Sequence, residues 1–253
     1  MRRTIVLLIT MALTLLVASG VALAVTKIGT SGPDTLRGTN GADNLLGNGG
    51  NDVLYAFGGK DNLLGGEGKD WVLGGNERRA LAGVKYLVGG PGNDGVNGGS
   101  DSDTLLGSSG NDFVFGYKGS DRAVVGGEGK DLINGDSGTD RMLGGGGGDQ
   151  IVDGAIGEGS KDDVLSGGEG DDILIGDHVP AVKDRVSCGG GFDRVVADSK
   201  DTVSDDCEKV LVVHGSKKEV RKQEDAFFKS LPPAQRKFFD TFFEEQLAPS
   251  PIG

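Results

Sequence analysis

Aspartates recur along this chain at intervals of nine. Asp34, Asp43, Asp52, Asp61 and Asp70 form one series. Asp94, Asp103, Asp112 and Asp121 form a second, and Asp131, Asp140 and Asp149 a third, shifted by one residue. A lone turn aspartate needs no special explanation, because its side chain readily bonds nearby backbone. A series in phase does. Carboxylates offer hard, anionic oxygens, the ligands of a hard divalent cation, and calcium accepts irregular oxygen cages more readily than magnesium. The clearest setting is Gly65-Gly66-Glu67-Gly68-Lys69-Asp70-Trp71-Val72-Leu73. It reads Gly-Gly-x-Gly-x-Asp, then x, an aliphatic residue and x.

Other chemistry finds little footing. Gly135-Asp136-Ser137-Gly138 resembles the nucleophile motif of chymotrypsin-like proteases, but it also forms the opening of the repeat that ends at Asp140. His178 and His214 are isolated, and no HExxH is present. The glycine-rich turns lack the GK[ST] of a phosphate loop. No EF-hand loop occurs. A net charge of -12 disfavours nucleic acid. No catalytic residue and no organic cofactor is assigned, and the expectation is a non-enzymatic protein.

The elements that position the aspartates follow from the period. Six glycine-rich residues make a turn. Three residues make a short strand whose middle side chain points inward. Leu36, Leu45, Leu54, Leu63 and Val72 hold that place after the first five aspartates. Two units close a coil of eighteen residues, and coils stack as parallel strands about 4.8 Å apart. Aspartates of alternate units then stand about 5 Å apart, where two carboxylates repel by roughly 1–3 kcal/mol. A cation between them removes that penalty.

The array has interruptions. After Asp70 the next unit keeps Gly74, Gly75 and Leu81, but Arg79 stands where aspartate is expected, which predicts loss of the site beside Asp61. Ala123 is read as the aliphatic partner of Asp121, with one extra residue near Val125. Asp172 with Leu174 continues the pattern. Asp163 with Leu165 is recognisable too, while Asp184, Asp193 and Asp201 come at unequal spacing, and all four stay open between ligand and solvated turn residue.

Composition agrees. The chain has 253 residues, 48 of them glycine, and 6% aromatics, too few large apolar side chains for a conventional core. The glycines follow no Gly-X-Y period, which excludes collagen. The regular aliphatic positions argue against disorder.

The flanks differ from the array. Arg2 and Arg3 precede the apolar run from Ile5 to Val17, and Ala22-Leu23-Ala24 forms a cleavage pattern. Residues 1–24 therefore read as a secretory signal peptide, and the protein as secreted and extracellular. Cys188 and Cys207 are the only cysteines, and in an exported chain they read as one disulfide. After His214 glycine nearly vanishes. Val220, Phe227 and Phe228 mark one helix, and Phe238, Phe239, Phe242, Phe243 and Leu247 a second. Two roles stay open for this tail: a cap on the last coil, or a contact with a membrane or protein partner.

The repeats resemble the RTX family of calcium-binding nonapeptide repeats. Gly65–Leu73, Gly89–Asn97, Gly126–Asn134, Gly144–Val152 and Gly167–Ile175 carry the full motif. The resemblance implies an all-β fold, a parallel β-roll (a right-handed β-solenoid), here with a short α-helical C-terminal tail. With the flanks read above, the chain divides into a signal peptide over 1–24, the roll over 25–214, irregular near 74–88 and 153–210, and a tail over 215–253; the N-terminal signal peptide departs from the many RTX chains exported without one. The resemblance also implies calcium ions shared between aspartates of adjacent coils, Asp52 with Asp34 and Asp70, and Asp112 with Asp94. Asp43, Asp61, Asp103, Asp121, Asp131, Asp140, Asp149 and Asp172 would bind likewise. The function it points to is a secreted calcium-binding monomer with a structural or interaction role. A haemolysin-like membrane-active protein and an extracellular enzyme are the alternatives. The toxin and protease activities of many RTX chains do not carry over on repeats alone.

Overall fold

The computed structural model describes residues 24–75, 83–153, 162–178 and 180–233. Strands alternate strictly between two parallel sheets, ten strands in each among the described residues. The first sheet starts at Thr26–Ile28, Asn44–Gly49 and Asn62–Glu67 and ends at Thr202–Val203. The second starts at Thr35–Arg37 and Val53–Tyr55 and ends at Lys209–Val212. Each strand pairs with the strand two elements on, so every coil contributes one strand to each sheet. The fold is a parallel β-solenoid of about ten turns.

The aliphatic position of each repeat builds the core. Leu45, Leu63 and Leu87 are in register along the first sheet, and Leu54, Val72 and Val96 along the second. All six are buried. Inward side chains from the two sheets meet as one continuous apolar column. This core is thin, and each coil depends on its neighbours for burial, as in other solenoids. The turns must also stack closely. Gly68 has φ 127°, and a Cβ there would lie within 3 Å of the Gly50 carbonyl. Only glycine combines that conformation with that approach.

Coil length varies while strand register holds. Asn44 pairs with Asn62, eighteen residues on, but Asn62 pairs with Tyr86, twenty-four on. The extra residues fall between Gly75 and Gly83. Arg79 and Leu81 therefore lie outside the described residues, and Lys85 stands where the aspartate of that coil belongs. Leu87 fills the core place. The reading that put Arg79 in the aspartate row is corrected. The period of nine was carried through an insertion, whereas strand pairing skips it. The extra residue near Val125 moves too. Ala123 pairs with Thr104 and Val124 with Leu105. Val124 is the buried side chain, so the added residue follows directly on Asp121.

Helix α1, Lys217–Lys229, opens with a capping box in which Glu219 Oε2 accepts the Ser216 N–H at 2.8 Å. It does not cover the end of the stack. Val220, Phe227 and Leu231 pack with Ile173, Ile175, Val196 and Val213. Ile173, Ile175 and Val196 alternate with the core residues Leu174 and Val195, so they face outward from the second sheet. The helix is a strap on that outer face. The second expected helix, with Phe238, Phe239, Phe242, Phe243 and Leu247, lies outside the described residues.

Cys188 and Cys207 form a disulfide, as expected. It joins the strand Arg185–Gly190 to the last coil. Closing a loop of nineteen residues is worth about 3 kcal/mol in the chain-entropy model.

Candidate calcium rows

Stacking turns the periodic aspartates into two lines, one along each edge of the roll. Asp34, Asp52, Asp70, Asp94, Asp112, Asp131, Asp149 and Asp172 form the first. Asp43 and Asp61, then Asp103, Asp121 and Asp140, form the second. Through the regular coils each aspartate N–H donates to Oδ1 of the aspartate one coil on, at 2.7–2.9 Å. Asp34, at the open end, is half-buried, and the others are buried.

The open residues join the same lines. Asp163 accepts from Asp140 and Asp184 from Asp163, while Asp193 accepts from Asp172. Asp201 closes one line by accepting from Asp184 at 3.0 Å. Glu208, which the sequence reading did not single out, closes the other by accepting from Asp193 at 2.8 Å. Unequal coil lengths hid all of these from a fixed period.

Oδ1 is thus occupied, but along most of the rows Oδ2 is not; at the first coil Asp34 and Asp43 Oδ2 accept, from the Thr30 and Thr39 N–H. In Asp52, Asp61, Asp70, Asp94, Asp112 and Asp121, among others, Oδ2 is buried without a hydrogen bond. Apart from Asp61, whose turn begins with Ala56, each faces the first glycine of its own turn. A Cβ at Gly65 would fall within 3 Å of Asp70 Oδ2 and of the Gly89 carbonyl oxygen. Gly107 faces Asp112 Oδ2 and the Gly126 carbonyl in the same way, and Gly144 faces Asp149 Oδ2 and the Gly167 carbonyl. The absent side chain leaves a cradle between a carboxylate oxygen and a carbonyl of the next coil. Hard oxygen donors of this kind suit calcium.

Electrostatics agree. In Asp94, Asp112, Asp121 and Asp149 burial is the largest cause raising the carboxyl, neighbouring aspartates add to it, and the backbone hydrogen bond opposes it. Asp94 and Asp112 rise to about 7, and Asp121 and Asp149 to about 8. Charged without a counter-ion, these groups strain the fold.

One place in the rows is built differently. Lys85 occupies it, 3% exposed, and its ammonium donates to the Gly83 carbonyl at 3.1 Å. Its N–H keeps the row bond to Asp103 Oδ1. Asp61 and Asp103 rise to about 6, with burial the largest cause and the Lys85 charge offsetting part of it. The preceding turn begins with Ala56, not glycine, so a methyl group enters that cradle. We expect the paired substitution Ala56→Gly and Lys85→Asp to add at least one calcium ion, counted by native mass spectrometry. An unchanged count would remove this coil from the calcium row.

Gly135 to Gly138 is a repeat turn, with the Ser137 hydroxyl donating to the Tyr117 carbonyl at 3.4 Å. No match to the chain was found among curated proteins. The family model of RTX calcium-binding nonapeptide repeats, four copies long, matches residues 28–56, 55–77, 88–123, 124–151 and 159–177. These segments cover more than half of the chain and most of both aspartate rows. Aspartate rows, glycine cradles and family match agree: this chain belongs to the RTX calcium-binding nonapeptide-repeat family, whose repeats bind calcium.

Proposed function

We propose that this is a secreted calcium-binding β-roll with a structural or interaction role and no catalysis. Residues 1–24 direct export, 25–214 form the roll and 215–253 form the tail. Asp34, Asp43, Asp52, Asp61, Asp70, Asp94, Asp103, Asp112, Asp121, Asp131, Asp140, Asp149 and Asp172 are the calcium ligands, together with turn carbonyls. The two lines of buried, unbonded Oδ2 atoms facing glycine cradles carry the reading. Export supports it from another direction. Disulfides persist in oxidising compartments, and extracellular modules bind calcium at concentrations of about 0.1–1 mM.

Isothermal titration of residues 25–253 tests the assignment. Gly107→Ala places a methyl group within 3 Å of Asp112 Oδ2 and the Gly126 carbonyl. It should lower the number of bound ions, as should Asp112→Asn. Native stoichiometry and affinity in both variants would mean the cradles are not the calcium sites.

A further inference from the structure

One buried cluster departs from the oxygen-only pattern. Asp153 follows the strand Gln150–Val152, at the place where most turns begin with glycine. His178 stands two residues beyond the strand Ile173–Gly176, and Asp184 is the row aspartate of that same turn. The three side chains each bring a ligand atom into a group whose members lie within 4.8 Å of one another. All three are buried: Asp153 is 3% exposed, His178 9% and Asp184 0%. His178 Nδ1 lies 3.3 Å from Asp184 Oδ2, and Nε2 lies 3.8 Å from Asp153 Oδ2. Among the described residues neither ring nitrogen completes a hydrogen bond, and no N–H donates to either oxygen of Asp153.

We propose that Asp153, His178 and Asp184 form a binding site for a borderline divalent metal ion such as zinc, distinct in chemistry from the calcium rows. Calcium takes oxygen ligands. An imidazole nitrogen beside carboxylates is a zinc ligand set, with protein ligands and an open position for water or another donor. Burial raises the Asp153 carboxyl, and Asp163, Asp184 and Asp140 raise it further, so a cation here relieves a large penalty. The irregular coil lengths around residues 153–184 create the site. A regular turn would put glycine at 153 and leave no room for a side chain.

The test uses the chain from residue 25 in millimolar calcium, so that the roll is folded before zinc is added. Competition against a chromophoric zinc chelator should give one tight equivalent. His178→Gln should weaken it by about 100-fold, and Asp153→Asn by at least about 10-fold, while His214→Ala leaves it unchanged. Cobalt(II) in place of zinc should give visible absorption bands that vanish in His178→Gln. Circular dichroism in calcium checks that each variant is folded. It also separates failure of this site from failure of the calcium assignment. Absence of a tight zinc equivalent from the folded native chain would overturn the proposal and leave His178 as an imidazolium between two carboxylates. Undiminished zinc binding by folded His178→Gln would overturn it too.

Discussion

Moved from millimolar calcium into chelator, residues 25–253 lose most of their β-sheet circular dichroism, and added calcium restores it. The expectation follows from two features that act together. The core is a single apolar column, and the rows place buried carboxylates one coil apart with Oδ2 unbonded. An ion that binds only the folded chain stabilises it by about 2.7 kcal/mol per site at a hundredfold excess over Kd. Many such sites act along one stack, so their removal outweighs any single substitution. Equal β structure in chelator and in calcium would defeat the idea.

The same argument gives a pH dependence. Without calcium the folded carboxyls of Asp94, Asp112, Asp121 and Asp149 sit at about 7 or 8, above their ordinary value of 3.8. The folded chain then binds more protons than the unfolded chain between about pH 4 and pH 8, so its stability falls as pH rises through that range. Acidification from pH 8 towards pH 5 in chelator should therefore recover β structure. In saturating calcium the signal should stay flat over this range. A cation-free chain that gains structure on raising the pH would contradict the sign.

The second large effect concerns the strap. Deleting residues 216–253 uncovers Ile173, Ile175 and Val196 on the outer face of the second sheet. The aspartate rows run along the edges and contain no residue of the deleted segment. Calcium stoichiometry should therefore hold while the folded, truncated chain associates, because calcium builds the sheet that carries the exposed patch. Light scattering with and without calcium reads this directly. Phe227→Ala, which empties the centre of the contact, should cost about 3 kcal/mol of stability in the intact chain. A truncated chain that stays monomeric and equally stable would assign the helix to a partner instead of the sheet.

The sequence by itself determined the local unit. Glycine fixes the turns, one aliphatic residue fixes the inward face, and aspartate fixes the edge chemistry, all within nine residues. The fold class and the line of calcium candidates in the regular coils were legible for that reason, and the cysteine pair because the chain has only two cysteines. Local period could not follow the chain across insertions, because strand pairing joins residues a whole coil apart and tolerates coils of unequal length. Only the stacked structure put Lys85 in the row in place of Arg79, made Val124 the core residue and brought Asp163, Asp184, Asp193 and Asp201 into line. It also decided where α1 lies. A helical period of apolar residues says which face is buried, not against what. The Asp153, His178 and Asp184 cluster shows the same limit most sharply. Its members are scattered over irregular sequence, and three residues that resemble loop polar groups in one dimension converge only once neighbouring coils stack.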